Sequence, residues 1–297
     1  MGLLPFFGLY DKKDCDCMLK KIDYAKINIE KNKKYFSCPI CYNMMELLDN
    51  SLKCSNGHCF DISHKGYLSL IRNNKKRIDK VYNDVLFSNR VKFINCGFYD
   101  KLHNLIGDVI KEHHNVSLIV DAGSGDGTHD NKILNLLNNK DIYIFGIDIS
   151  KHGIQISTDY VNNNFIPIIA DLNRLPFNNN TIDVILNILS PSNEQEMNRV
   201  LKKDGIIIKV TPKKEYLKEL RNAIGADDYE NEDIIDQHIN NNYLVREKYD
   251  IIEKYNLNDE QLNYLINMTP LSKNFNKNVK IKDITIALNV YVLQTKE

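Results

Sequence analysis

Two groups of residues in this 297-residue chain have types and spacing suited to chemistry. The first is Cys38-Pro39-Ile40-Cys41, followed after a 12-residue span by Cys54-Ser55-Asn56-Gly57-His58. A C-x2-C knuckle turns two thiolates toward one ion, and a second pair from a following hairpin completes a tetrahedron. Cys59 competes with His58, and adjacent residues rarely both reach one ion, so one of the two is a bystander. With four protein ligands the site is closed, the structural kind of zinc site rather than the catalytic kind. Unrelated buried thiols are the alternative, and two pairs in so short a span argue against it.

The second group is Leu118-Ile-Val-Asp-Ala-Gly-Ser-Gly-Asp-Gly127. An apolar run ends at Asp121 and meets glycines at 123, 125 and 127. This reads as a buried parallel strand, a glycine turn and a helix from about Thr128. In an open α/β sheet, such a turn at the carboxyl end of the first strand is a ligand site. The pattern is D-x-G-x-G-x-G, not the G-x-G-x-x-G of dinucleotide folds. Asp121 and Asp126 would repel a pyrophosphate, whereas a cationic ligand suits them. S-adenosylmethionine fits, with a sulfonium, an ammonium, a ribose and no phosphate. A tight turn in some other α/β domain is the alternative.

Further acids follow in order. Asp148, about 20 residues past the turn, is placed for the ribose hydroxyls, and Asp171 for the adenine amine. Together with Asp121 they make an adenosyl pocket. The fourth strand ends in Asn187-Ile-Leu-Ser190-Pro191-Ser192, beside the transferred group in this architecture. It is neither the N/D-P-P-Y of exocyclic-amine methylation nor a Pro-Cys nucleophile. Asn187 and Ser190 are the candidate catalytic residues, expected to bind the acceptor base rather than take its proton.

The elements that must hold these groups alternate. Strands are expected at 117–121, 142–148, 165–169, 182–188, 205–210, 247–255 and 284–294, with a helix near 259–267. Residues 81–112 have helical periodicity broken at Gly97-Phe98-Tyr99. The acidic, asparagine-rich stretch 222–242 reads as a mobile loop or lid. The division expected is an N-terminal extension without fixed structure (1–34), a zinc-binding module (35–72), a basic linker with helices (73–112) and a cofactor domain (113–297). The fold class is α/β: a Rossmann-like seven-stranded mixed sheet of the class I methyltransferase type, with a small N-terminal zinc-binding domain.

Lys plus Arg and Asp plus Glu balance at 39 each, so net charge carries no polyanion signal. Binding RNA then needs local clusters, and Arg72, Lys75, Lys76, Arg77 and Lys80 form one beside the metal module. Four of the seven cysteines fall within 38–59, which points to metal in a reducing cytoplasm rather than to disulfides. No apolar run is long enough to span a bilayer, and the apolar Leu3–Phe7 lacks the basic flank of a signal peptide.

The cysteine knuckle, Phe60-Asp61 with Gly66-Tyr67, Gly97-Phe98-Tyr99, the Asp121–Gly127 turn, Leu175-Pro176-Phe177, Ser190-Pro191, Thr211-Pro212 and Met268-Thr269-Pro270 occur in one order. This order resembles the family of 23S ribosomal RNA guanine-N1 methyltransferases over roughly residues 36 to 295. The resemblance implies Zn2+ on Cys38, Cys41, Cys54 and His58, which decides for His58 over Cys59. It implies cofactor contacts at Tyr99, Gly125 and Asp126, beside the pocket residues Asp121, Gly123, Gly127, Asp148 and Asp171. Tyr216 stands where the family has a cofactor-contacting histidine, and Lys202-Lys203-Asp204-Gly205 where it has K-P-G-G. The 222–242 stretch and the 34-residue extension also depart from the pattern.

The reaction implied is in-line transfer of a methyl group from sulfonium to guanine N1. The partner is 23S rRNA, with no membrane and with room for a homodimer. Two other readings stand beside it. One is a small-molecule methyltransferase of the same fold, which neutral net charge favours. The other is a non-catalytic RNA- or ribosome-binding protein with a vestigial cofactor pocket.

Overall fold

A computed structural model describes residues 19–71, 82–161, 163–226, 229–270 and 281–296. The Cys15–Cys17 pair, the basic cluster 72–80, Asp227 and Asp228 lie outside the described residues.

The sheet grows outward from the glycine-turn strand. β5 (Leu118–Ala122) is buried along its whole length, as are β7 (Phe165–Ile169) and β8 (Ile182–Ile188). Continuous apolar runs of this kind belong to strands covered on both faces. β6 (Tyr143–Asp148), β9 (Leu201–Pro212), β10 (Tyr243–Asn256) and β11 (Asp283–Thr295) supply the other expected strands. An eighth, the two-residue β4 (Leu68–Ser69), comes from the metal module and pairs in parallel with Ile168 and Ile169. The order is β10-β11-β9-β8-β5-β6-β7-β4, with β11 antiparallel to both β9 and β10. The module's own sheet is the antiparallel trio β1 (Met45–Leu48), β2 (Ser51–Cys54) and β3 (Cys59–Asp61).

Helices cover both faces. α2 (Asp84–Phe93) is capped by Asn83, whose Oδ1 accepts from the Leu86 N–H at 3.0 Å. It runs through a wide turn at 94–98 into α3 (Asp100–Glu112). The break falls at Gly97, whose φ of 91° suits glycine. These helices pack on one face with α4 (Thr128–Leu137), α7 (Lys218–Ile224) and α9 (Asp259–Met268), around Ile119, Ile144, Val184 and Ile208. The other face carries α6 (Glu194–Val200), α8 (Glu232–Asn242) and the zinc module. α5 (Lys151–Ser157) follows β6.

Two expectations need correction. Within the supposed extension, residues 21–32 form helix α1, which buries Ile22, Ala25 and Ile29 in the core shared by the module and the sheet. The buried Asn28 donates to the Val161 carbonyl at 3.1 Å. Three apolar residues at i, i+3 and i+7 were hidden among lysines. The lid expected over 222–242 contains α7's end and α8, and Ile239 of α8 is buried. Its acids are anchors: Glu232 accepts from Asn289 and from the Lys214 N–H, and Asp236 accepts from Lys248 and Tyr291. Among the described residues no helix is long and apolar enough to cross a membrane.

Candidate functional site: an adenosyl cleft and a cysteine–histidine cluster

A cleft of about 1900 Å³ opens at the carboxyl ends of the parallel strands. Tyr99, Asp121, Gly123, Asp126, Asp148, Asp171, Ser190 and Tyr216 all line it, although 117 residues separate the first from the last. The turn between β5 and α4 forms its floor. Gly123 has φ 101°, and a Cβ there would lie 2.3 Å from Ser190 Oγ; a Cβ on Gly127 (φ 72°) would lie 2.8 Å from Ser157 Cβ. Gly125 donates its N–H to Asp148 Oδ2 at 2.9 Å, while Asp148 Oδ1 accepts from the Ser150 N–H at 2.7 Å. Asp171 is less enclosed, and its Oδ1 accepts from both the backbone and the side chain of Asn173 at 2.9 Å.

The floor is short of donors. Asp121 Oδ1, Asp126 Oδ2 and Ser124 Oγ are buried without a hydrogen-bond partner. An unmatched buried carboxylate oxygen is costly, so the cleft calls for a cation or donors, as S-adenosylmethionine would bring. Burial pushes the Asp121 carboxyl up to about 7, with Asp148 and Asp126 adding repulsion and the neighbouring Asp130 opposing it. Asp130, fully buried, is pushed well above the carboxylate range by burial and by Asp121. The two acids face each other, and like charges in contact share a proton. Asp130, which does not line the cleft, is pushed up further and keeps its proton, so above about pH 7 Asp121 is the anion that faces the cleft. Asp126 is also raised by burial; its Oδ1 accepts from the Thr128 N–H at 3.1 Å and from Thr128 Oγ1 at 2.5 Å.

Above the floor, Tyr99 and Tyr216 hydroxyls meet at 2.7 Å, and burial pushes both phenols up. Three residues of this wall were missed by the sequence reading. Arg90 stacks over the Phe87 ring at 5.3 Å, and its charge lowers the Asp126 carboxyl against burial. Its signal was an arginine inside the helical stripe Phe87, Arg90, Ile94, all of which line the cleft. His129, at the start of α4, accepts or donates at Nδ1 to His103 Nε2 at 2.8 Å and packs edge-on against Tyr99. Burial pushes His129 well below its ordinary range and His103 to about 4, so the pair is neutral at pH 7. Lys209, a lone cation in the run Ile206-Ile207-Ile208-Lys209-Val210, lines the cleft near β8.

The candidate catalytic pair is brought together but turned inward. Asn187 is fully buried; its Nδ2 donates to the Ala122 carbonyl at 2.8 Å and lies 2.7 Å from Ser190 Oγ and 3.1 Å from the Pro191 carbonyl. Ser190 Oγ donates to the same Ala122 carbonyl at 2.6 Å. The two clamp the turn after β8 onto the end of β5.

The metal-type cluster is local. Sγ of Cys38, Cys41 and Cys54 and a ring nitrogen of His58 lie within 4.8 Å of one another. Cys41 Sγ to Cys54 Sγ is 3.6 Å, and His58 Nδ1 is 3.4 Å from Cys54 Sγ and 3.5 Å from Cys38 Sγ. Zinc–sulfur bonds of about 2.3 Å at a tetrahedral angle put sulfurs about 3.8 Å apart, so the donor set fits Zn2+. Burial pushes Cys54 up, but hydrogen bonds from His58, Cys41 and Asn56 outweigh it and bring the thiol down to about 7. Cys59 is exposed on β3 and takes no part in the cluster.

The knuckle is fastened to the cofactor sheet. Ser37 donates its N–H to the Pro176 carbonyl at 3.0 Å, and Phe36 pairs with Phe177 and packs against Phe145. Arg174, three residues beyond Asp171, donates to the Ile40 carbonyl at 2.9 Å and lies 4.2 Å above the Tyr42 ring.

Comparison with known proteins matches these two regions separately. Residues 36–78 match the zinc-ribbon family described as RlmA, N-terminal, and residues 113–267 match a methyltransferase domain family. A Bacillus subtilis (strain 168) protein whose name assigns it to 23S rRNA guanine-N1 methylation is 33% identical over 278 residues, which cover 86% of this chain and 96% of the relative. The Streptomyces fradiae 23S rRNA (guanine(748)-N(1))-methyltransferase is 27% identical over 198 residues, 65% of this chain and 68% of the relative. Among solved structures, a SAM-dependent methyltransferase from Aquifex aeolicus superposes with a TM-score of 0.41 at 16% identity, covering 63% of this chain and 88% of that one. With both regions matched in order and the Bacillus relative covered nearly end to end, this chain belongs to the 23S ribosomal RNA guanine-N1 methyltransferase family.

Proposed function

We propose that the chain transfers a methyl group from S-adenosylmethionine to N1 of a guanine in 23S rRNA. The observation that carries this reading is one core holding both a closed cysteine–histidine zinc site and an acid-floored adenosyl cleft. Family membership supplies the substrate class.

S-adenosylmethionine brings an activated methyl group, and the residues around it bind and orient. Asp148 takes the ribose hydroxyls and Asp171 the adenine amine. Asp121 and Asp126 face the ammonium end, and Arg90 takes the carboxylate. Gly123, Gly125 and Gly127 keep the backbone close to the ligand. Tyr99 and Tyr216, linked through their hydroxyls, wall the cleft beside the methionine end. Asn187 and Ser190 hold the turn that borders the acceptor side, and act by positioning. Zinc on Cys38, Cys41, Cys54 and His58 is structural: it fixes the surface that faces the RNA, including the exposed Tyr42 and Met44. The guanine must leave any helix before its N1 can reach the sulfonium.

The test is to mix the purified chain with methyl-labelled S-adenosylmethionine and 23S rRNA that lacks the modification. Label in rRNA as N1-methylguanine supports the reading. Label only in small molecules or protein would overturn it, and no binding of S-adenosylmethionine at all would favour a non-catalytic RNA-binding protein.

A further inference from the structure

We propose that Lys209 binds the O6 oxygen of the acceptor guanine and stabilises the N1-deprotonated base during methyl transfer; this rests on the guanine-N1 reading above. Methylation at N1 has a proton to dispose of, because guanine N1 carries one at neutral pH. Loss of that proton spreads negative charge over N1 and O6. A cation fixed beside O6 favours this anion and preserves the nucleophilic lone pair on N1.

Lys209 has the placement for this. It stands in register with Asn187 on the neighbouring strand, and its Nζ is held by Asn187 Oδ1 at 2.7 Å and Ser192 Oγ at 3.2 Å. Asn187 is itself locked by its bonds to Ala122 and Pro191, so the ammonium is fixed rather than swinging. Both direct partners are neutral. Among the described residues no carboxylate comes within ion-pair distance of it. The charged group facing it is Glu194 on α6, which is engaged by His238 of α8 at 2.5 Å; Tyr291 is its partner across β11. Burial pushes the Lys209 ammonium down from the ordinary lysine range, and Glu194 only opposes this. A half-desolvated cation with neutral partners is relieved when an anion arrives. The side chain lines the same cleft as Ser190, Pro191 and the floor acids, and is linked to Ser190 and Pro191 through Asn187.

The step balances. The N1 proton passes to water. The N1 lone pair forms the bond to the methyl carbon while the carbon–sulfur bond breaks and its pair stays on sulfur. One proton is released per turnover, and the charge on O6 disappears as the bond forms.

Single-turnover methylation of unmodified 23S rRNA at saturating S-adenosylmethionine, from pH 7.5 to 10, tests the proposal on the full chain. Lys209→Met should be about 100-fold slower than wild type at pH 7.5, with affinities for RNA and cofactor unchanged. The deficit should shrink as pH rises and the guanine ionises unaided. Lys209→Arg should recover part of the rate. Lys209→Gln, which keeps a polar contact to Asn187, should behave like Lys209→Met and guards against misfolding of the latter. A rate that is unchanged, a deficit that is the same at every pH, or a loss confined to RNA affinity would overturn the proposal, the last marking a phosphate contact. A wild-type chain that makes no N1-methylguanine would instead overturn the reading of the reaction.

Discussion

The zinc cluster and the adenosyl cleft were assembled in opposite ways. All four ligands of the cluster lie within residues 38–58, on two knuckles whose geometry is local. The cleft draws on residues from Tyr82 to Pro270, placed by five strands and the helices around them. A local site depends on a metal, and a distributed one depends on a packed sheet. Here they are not independent, because Phe36, Cys38, Met45 and Leu52 belong to the same core as Val120, Phe145 and Ile185.

The largest expected effect follows from that union. Cys54→Ser or a strong chelator removes zinc, and zinc knuckles draw on the order of 10 kcal/mol from their metal. A simple two-module protein would keep its cofactor affinity. This chain should instead lose thermal stability across the whole transition and bind S-adenosylmethionine more weakly, as calorimetry with and without chelator would record. Unchanged cofactor affinity would separate the two regions after all.

Next in size is the hinge between them. Phe36→Ala removes a fully buried ring that packs on Phe145 and Phe177, and should cost about 3–5 kcal/mol in denaturant unfolding. Arg90→Met tests the cleft alone. Losing a charge-assisted contact to the cofactor carboxylate should weaken S-adenosylmethionine by about 10- to 100-fold, with no change in zinc content or stability. If affinity holds, the carboxylate is bound elsewhere.

The pH dependence is smaller. Asp121 titrates near 7 in the fold against an ordinary carboxylate value when unfolded. A raised carboxyl favours the folded state at low pH, so the ligand-free protein should lose stability as pH rises from about 4 through 7. Binding of a cationic ligand runs the other way: affinity should climb from pH 6 to 8 and flatten above, and Asp121→Asn should remove the slope. The smallest effect expected is that of Arg174→Ala, about 1 kcal/mol. It cuts the link from the Asp171 turn to the knuckle, and should weaken cofactor binding slightly while leaving zinc in place.

Legibility in the sequence followed the same division. The knuckle spacing picked out nearly all of the side chains that the fold gathers into one cluster, since a tetrahedral ion restricts four nearby residues; only His58 against Cys59 was left open by spacing. The strands that carry Asp121 and Asp148 and lead to Asp171 were legible because buried parallel strands are unbroken apolar runs. Helix α1 was not, because lysines dominate it and its buried stripe makes sense only against β7 and the module. The acids of 222–242 looked like a solvated loop, yet Glu232 and Asp236 are bound to partners more than fifty residues away in β11. Arg90 and Lys209 were passed over as single charges in apolar stretches, although such a charge is an oddity that a site can explain. Leu175-Pro176-Phe177, quoted only as a motif, supplies the carbonyl and the ring that fasten the knuckle to the sheet.

Modification of guanine N1 in 23S rRNA by a chain with a zinc-braced surface and an adenosyl cleft can be read by reverse transcription of treated and untreated rRNA, because a methyl on N1 blocks Watson–Crick pairing and stops the polymerase. A single new stop one nucleotide before a guanine, dependent on S-adenosylmethionine, is the result expected. Treated rRNA that reads through every guanine as untreated rRNA does would contradict the account.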